Sequence, residues 1–220
     1  MKKIVIFGSS GHAKVIVDII EKENKYKIVG YIDKNLKKGK IVFGYPVIGN
    51  DGEINDIVRN HSIKGGIIAV ADNYLRYSIK NMIVKSLPKF NFITTIHPSS
   101  VISKNVSIGK GSAIMAGSII NPDSKIGNFC IVNTNASIDH DSIMEDFSSV
   151  GPKVVTGGNC KIGKLSFIGI GAVIIHDITI GEYSVIGANS TVLKNVGSSL
   201  VVYGNPSKVK RKRKVEEKYL

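Results

Sequence analysis

His140 is the residue in this chain whose neighbours best equip it to move a proton. It stands in Ile138-Asp139-His140-Asp141, with a carboxylate on either side. A carboxylate in reach of one ring nitrogen fixes the tautomer and favours the imidazolium, which suits a general base near neutral pH. A surface histidine among acids, without a role, is the plain alternative. Of the other histidines, His61 lies in a polar segment, His97 at the turn into the repeat described below, and His12 in a glycine-rich turn where it could face a phosphate. His176, 36 residues beyond His140, reads as a surface residue. Between the two, Thr156-Gly157-Gly158-Asn159 interrupts the repeat, and a backbone N–H freed at Gly158 could stabilise an oxyanion.

A second group of candidates lies near the N-terminus. Lys2 to Phe7 is a continuous apolar run that reads as a buried parallel strand. It ends in Gly8-Ser9-Ser10-Gly11-His12 and is followed by Val15, Ile16, Ile19 and Ile20 at helical spacing. A second strand, Lys27 to Ile32, closes on Asp33. Strand, glycine-rich turn, helix, strand and acid is the order of a Rossmann-like nucleotide module, with phosphate at the helix N-terminus and the acid on the nucleoside. Gly8-x-x-Gly11 is shorter than the full dinucleotide fingerprint, so a tight turn without a ligand stays open, and the small sheet favours a nucleotide-linked ligand over a dinucleotide. Gly44 to Gly49 reads as a turn and edge segment, Gly52 to Asn60 as a short helix, and Gly66 to Ala71 as another buried strand. Asp72 and Asn73 then cap a helix carrying Arg76.

The element that must carry His140 is a hexad repeat. Every sixth residue from Ile96 to Val192 is aliphatic except Thr156. A small residue, such as Ser112, Ser118, Cys130, Ala136 or Ser166, stands two positions earlier. A period of six fits neither a helix nor a two-sided strand. It is the signature of a parallel β-helix in which three hexads close a triangular coil, the aliphatic residue points inward and the small residue fits the corner. No coil is stable alone, so the repeat folds as a stack. The expected domains are 1–90, 91–206 and a basic C-terminal tail, 207–220.

Composition sets limits. The chain has 220 residues with 43% hydrophobic content, and its basic N-terminus is followed by too short an apolar run for a signal peptide or a membrane span; a cytoplasmic protein is expected. Cys130 and Cys160 fall on different faces of a three-sided prism, which argues against a disulfide and offers no metal cluster. The net charge is +13, and residues 208–220 supply +5 of it. A solvated tail, contact with the phosphates of a small ligand, and nucleic-acid binding all accommodate that tail, with nucleic acid disfavoured by the lack of interleaved aromatics.

The hexads resemble the left-handed β-helix acyltransferases. Joined to Gly8-Ser9-Ser10-Gly11-His12 with Asp33, to Ala71-Asp72-Asn73 with Arg76, to Asn133-Thr134, to Ile138-Asp139-His140-Asp141 and to Gly204-Asn205-Pro206-Ser207-Lys208, they are similar to the nucleotide-sugar N-acetyltransferases of the bacillosamine and perosamine pathways and to sialic acid O-acetyltransferases. The resemblance implies an α/β N-terminal Rossmann-like domain followed by a left-handed parallel β-helix. It implies a homotrimer that takes acetyl-CoA as cosubstrate, needs no metal, and acetylates the amine of a nucleotide-linked 4-amino-4,6-dideoxy sugar, UDP-linked in preference to GDP- or dTDP-linked. By the same resemblance His140 is the general base, Asp141 orients it, and Gly158 is the backbone donor at the thioester carbonyl. Ser10, Gly11, His12, Asp33, Asp72, Asn73 and Asn133 face the sugar nucleotide, and acetyl-CoA runs past Gly158, Gly169, Gly187, Ala188, Pro206 and Lys208 in a groove between neighbouring β-helices. Some relatives carry a second histidine nine residues after the first; here that position is Ser149. Acetylation of a sugar hydroxyl, a scaffold without turnover, and nucleic-acid binding through Lys208 to Lys214 are the competing readings.

Overall fold

The computed structural model describes residues 1–219. The N-terminal domain begins with strand β1 (Lys2–Phe7), helix α1 (Gly11–Glu23) and strand β2 (Tyr26–Ile32). Ile4, Val5 and Ile6 are buried on both faces of β1, which is why an unbroken β-branched run forms a central strand. Helix α1 buries Ala13, Ile16, Val17, Ile19 and Ile20 against the sheet and ends at Asn24, whose left-handed φ of 51° lets its N–H reach the Ile20 carbonyl. A hairpin of β3 (Ile41–Val42) and β4 (Tyr45–Gly49), helix α2 (Ile54–Asn60), β5 (Gly66–Ile68) and α3 (Asn73–Ser86) complete the domain. The sheet order is β3-β4-β2-β1-β5, with only β3 antiparallel.

Two local expectations shift. The segment around Gly44 supplies a strand paired with β2, and β3 is the edge. Residues 51–53 form a 3-10 turn before α2, capped by Asn50.

From Thr95 onward two-residue strands recur every six residues and pair in parallel with the strand eighteen residues on. They form three faces. A covered face runs from Thr95–Ile96 through Phe167–Ile168 to Leu200–Gly204; an apolar face from Val101–Ile102 to Thr191–Val192; a lysine-bearing face from Ser107–Ile108 to Thr179–Ile180. The second residue of each strand forms the buried column, from Ile114, Ile120 and Ile126 to Val192, at roughly 25 cal/mol per Å² of apolar area removed from water.

The corners follow from backbone sterics. From Asn105 to Asn189 every sixth described corner residue has a positive φ, as in Asp123, Asn135, Asp141 and Asn159. Asn and Asp tolerate this region best because their short side chains bond locally. Here they also bond between coils, Asn105 to Asp123 at 2.9 Å and Asn159 to Asp177 at 2.8 Å.

Phe129, Phe147, Leu165 and Tyr183 occupy the same left-handed corner position on one edge, eighteen residues apart. Bulky side chains are costly there, and the first three are offset by burial beneath the N-terminal domain in one cluster with Val5, Phe7 and Ile83. Phe129 and Phe147 stack at 4.7 Å, and Phe92 meets Phe129 edge-on at 4.9 Å. Arg76 closes this interface. Fully buried, it donates to the carbonyls of Phe129, Phe147, Val70 and Ala71, to Asn73 Oδ1 and to Ser149 Oγ.

The basic C-terminus is not a free tail. Ser207–Lys212 pairs antiparallel with Leu200–Gly204 and widens the covered face. Arg211 pairs with Glu217, and Arg213 is buried, donating to the Tyr183 and Glu217 carbonyls. The chain then returns toward the N-terminal domain, where Tyr219 stacks on Phe167 of the covered face at 4.4 Å and its hydroxyl meets the Asn73 N–H. Strand pairing with Leu200–Gly204, the Arg211–Glu217 pair and the burial of Arg213 explain why a basic run is ordered.

Candidate active site

Beyond the carboxyl ends of β1, β2 and β5 lies a cavity of about 200 Å³ lined by Gly8, Ser9, Ser10, Asp33, Asn35 and Asp51 among others. It sits where β1 has β2 on one side and β5 on the other, the switch point at which open α/β sheets bind ligands. Gly8 has a φ of +89°, and a Cβ there would lie 2.9 Å from Val70 Cγ2; only glycine lets β1 turn so close to β5. Ser9 Oγ donates to Asp33 Oδ2 at 2.6 Å, and the Asn35 N–H to Asp33 Oδ1 at 2.8 Å, which holds the carboxylate at the cavity wall. Ser10 is the N-cap residue of α1, but its hydroxyl makes no capping bond, and beside Gly11 there is open space. The helix terminus therefore meets the cavity with unengaged donors, as an anion site requires. Burial raises the Asp51 carboxyl above its ordinary range, with Asp33 adding to the effect and Lys34 opposing it.

His12, which the sequence places where it could face a phosphate, has its ring tip buried instead. Its Nε2 is buried with no partner, and burial together with the nearby Arg76 charge lowers its pKa to about 4, so it is neutral at pH 7. Asp72 caps α3 through the Leu75 N–H. Asn73 is buried, donating to the Leu165 and Ser166 carbonyls and accepting from Arg76 and Ser149. Ser149 thus belongs to the interface between domain and β-helix. The stripe of Phe129, Phe147 and Leu165, absent from the sequence expectation, was signalled by bulky residues at a spacing of eighteen.

His140 lies on the opposite edge, between the apolar and lysine-bearing faces. Its Nδ1 is 2.8 Å from Asp141 Oδ2, and both side chains are more than half exposed. Asp139 turns the other way, accepting from Asn121 and from the His140 N–H, which keeps its carboxyl below the usual range. The Asp141 bond, then the Asp139 charge, raise the His140 pKa. With Nδ1–H donated to Asp141, Nε2 carries the free lone pair.

Gly158 is the residue one coil on. A Cβ at this position would lie 2.5 Å from both Cε1 and Nε2 of His140. The preceding irregularity has a specific form: Thr156 is buried in the column, and its hydroxyl accepts the Asp139 N–H at 3.0 Å. His176 and Lys194 continue this edge at successive intervals of eighteen. At its end Lys194, Pro206, Ser207 and Lys208 line a cavity of about 420 Å³.

Asn133, Gly169, Gly187 and Ala188 lie on the other edge of the apolar face. There Gly169 packs so closely on the next coil that a Cβ would lie 2.6 Å from Ala188 N. One chain therefore brings together Ser10, Gly11 and Asp33, and separately His140, Asp141 and Gly158, but not the two groups. Among the described residues no cluster of three His, Cys, Asp or Glu could hold a metal ion, and no helix is long and apolar enough to cross a membrane.

Known proteins share this arrangement. Residues 3–83 match the PglD N-terminal domain, and residues 159–194 match the bacterial transferase hexapeptide repeats. A mutant of perosamine N-acetyltransferase from Caulobacter crescentus, in complex with CoA and GDP-perosamine, is 32% identical over 96% of this chain and 98% of its own, with a TM-score of 0.90. The acetyltransferase domain of PglB from Neisseria gonorrhoeae, in complex with acetyl coenzyme A, is 30% identical over 95% of this chain and 99% of its own, with a TM-score of 0.87. UDP-N-acetylbacillosamine N-acetyltransferase of Bacillus subtilis is 32% identical over 119 residues, 53% of this chain. That match covers 52% of the Bacillus protein, so this chain spans about half the length of that curated relative. With an N-terminal α/β domain and a left-handed β-helix matched along almost its whole length, the chain belongs to the PglD-type, hexapeptide-repeat family of sugar N-acetyltransferases.

Proposed function

We propose that this chain transfers the acetyl group of acetyl-CoA to the amine of a nucleotide-linked 4-amino-4,6-dideoxy sugar. The observation that carries the reading is His140, with Nδ1 held by Asp141 and Nε2 free, on the margin of an exposed apolar face. Val101, Ile119, Val155 and Val173 project from that face into solvent. Three copies packed with these faces toward a common axis bury them, and cyclic symmetry sets each His140 edge against the far edge of the next copy. That far edge carries Asn133, Gly169, Gly187 and Ala188 and adjoins the neighbour's N-terminal domain. The site is then shared: cavity from one copy, base from another.

Acetyl-CoA fits the groove so formed. From His140 the edge rises three coils, about 14 Å, to Lys194 and Lys208, whose ammonium groups suit its phosphates. The thioester supplies an already activated acyl group. His140 Nε2 takes a proton from the sugar amine, the amine nitrogen bonds the carbonyl carbon, and the C–S bond breaks with the thiol leaving group collecting a proton. A positioned base contributes about 10² to 10⁴ in rate, and donors at the carbonyl oxygen, for which Gly158 N–H is the nearest backbone candidate, add to it. UDP is favoured on the likeness to the Bacillus enzyme and GDP on that to the Caulobacter enzyme.

The test is a mass-spectrometric transfer assay with acetyl-CoA and UDP-, GDP- and dTDP-linked 4-amino-4,6-dideoxy sugars, with free sialic acid included. One acetyl added to a single sugar nucleotide is the expected product. Acetylation of sialic acid alone would replace this reading with O-acetylation.

A further inference from the structure

The cavity of the N-terminal domain is walled on one side by Val70, Leu75 and Ile79, at the passage from β5 into α3. Between them, residues 71–73 form a short connection whose side chains are pinned at Asn73, while the backbone around Ala71 and Asn73 still needs partners. Arg76 holds it from within through the Val70 and Ala71 carbonyls. From outside it is held by the end of the chain. The Asn73 N–H donates to the Tyr219 hydroxyl at 2.8 Å, and that hydroxyl faces the Ala71 carbonyl at 3.4 Å.

Tyr219 is fixed in its turn. Its ring stacks on Phe167 at 4.4 Å, the Arg213 guanidinium lies 5.3 Å from its centroid, and Tyr74 bonds Glu216 beside it. Arg213 is anchored by the Tyr183 carbonyl at 2.8 Å. Helix α3 starts with an unfilled N–H at Asn73, since Asp72 serves Leu75; Tyr219 fills it. The last residues of the chain thus bridge 146 positions to fasten a cavity wall to the β-helix.

Resting on the nucleotide-sugar reading above, we infer that Tyr219 is a positioning residue for the sugar nucleotide: the C-terminal segment 213–219 is a strap that pre-orders the 70–75 wall of the N-terminal cavity. Pre-ordering saves the conformational entropy that binding otherwise consumes. Its effect falls on nucleotide affinity and leaves acetyl-CoA affinity alone, because Tyr219 meets Asn73, Ala71, Phe167 and Arg213, none of which is among the residues assigned to acetyl-CoA.

The experiment compares the full chain with Tyr219→Phe, which keeps the stack and removes the hydrogen bonds, and Tyr219→Ala, which removes both. Amide exchange at Asn73 and calorimetric titration with UDP, GDP, dTDP and acetyl-CoA are read for each. The expected result for Tyr219→Phe is faster exchange at Asn73 and an about 3- to 10-fold weaker Kd for the nucleoside diphosphate that the natural chain binds, the loss of one net hydrogen bond, with acetyl-CoA unchanged. Tyr219→Ala weakens it further. Unchanged exchange and unchanged nucleotide affinity in both variants overturn the strap, as does an equal loss for both ligands, which marks general destabilisation. If the natural chain binds acetyl-CoA but none of the three nucleotides, the nucleotide reading fails, and this role for Tyr219 fails with it.

Discussion

The imidazole of His140 rests directly on the Cα of Gly158: a single added Cβ would stand 2.5 Å from Nε2, the nitrogen left free by the Asp141 bond. The backbone at position 158 is outside the left-handed region, so Gly158→Ala has no backbone strain to accommodate and must displace the ring. Misplacement of a reacting group by about 1 Å costs on the order of 10²-fold in rate. We expect Gly158→Ala to lose about that much kcat with unchanged thermal unfolding; full activity would show that the ring position does not matter.

Removing the base is the companion test. His140→Asn is expected to fold and to bind acetyl-CoA while losing about 10² to 10⁴ in turnover. In the natural chain the Asp141 bond and the Asp139 charge raise the His140 pKa. Activity needs the neutral ring, so the acid limb of kcat/KM lies above the ordinary imidazole value of about 6.5. Asp141→Asn, tolerated at a φ of 58°, removes the leading cause and should move that limb to lower pH. A limb that stays in place would assign the titration to another group.

His12 gives the opposite sign. Its folded-state pKa of about 4 lies below the ordinary imidazole value of about 6.5, so the unfolded chain takes up the proton preferentially. The associated stability is intact above about pH 6.5 and is lost as the pH falls toward 4, by up to roughly 3 kcal/mol. Denaturant titrations from pH 7 to 4 should show this decline, and His12→Leu should flatten it. An identical pH profile in the variant would exclude His12.

Arg76 is a buried cation satisfied almost entirely by carbonyls. Arg76→Lys keeps the charge but cannot reproduce a planar fork that reaches six acceptors, so several buried oxygens lose a partner at about 1 to 3 kcal/mol each. A fall in Tm with early loss of the N-terminal domain is expected. Ser149→Ala, which removes one of these acceptors, should cost less.

The apolar face predicts assembly. Val155→Glu together with Val173→Glu places two charges on it without touching the column. Light scattering should then report monomers, and transfer should be lost although acetyl-CoA groups and His140 are chemically intact. An active monomer would contradict a shared site.

Much of the architecture was legible because it is periodic. The aliphatic residue at every sixth position from Ile96 to Val192 specifies the prism, since one face of each strand has nowhere else to go, and β1 announces itself by an unbroken β-branched run. The glycine-rich turn with its acid at Asp33 and the adjacent His140 and Asp141 were visible as motifs, although the Ser9 bond to Asp33 across 24 positions was not. What was hidden depends on contacts between distant residues. Nothing in Ala71-Asp72-Asn73 says that Asn73 is buried against Leu165, nor that a basic terminal run folds back until Tyr219 meets Phe167. His12 looked able to face a phosphate because a glycine-rich turn precedes it; in the first turn of the helix its ring is instead buried near the Arg76 charge, and burial decides its charge.

The interval of eighteen residues makes the prism a graduated ruler. His140, Gly158, His176 and Lys194 are marks on one edge, each about 4.8 Å from the next. Inserting or deleting a whole coil between His140 and Lys194 would alter the reach from base to phosphate anchor by that fixed step, leaving Asp139, Asp141 and the corner geometry around the base untouched. A scaffold built this way can change the length of cargo it measures in discrete increments, with no redesign of the chemistry at the zero mark.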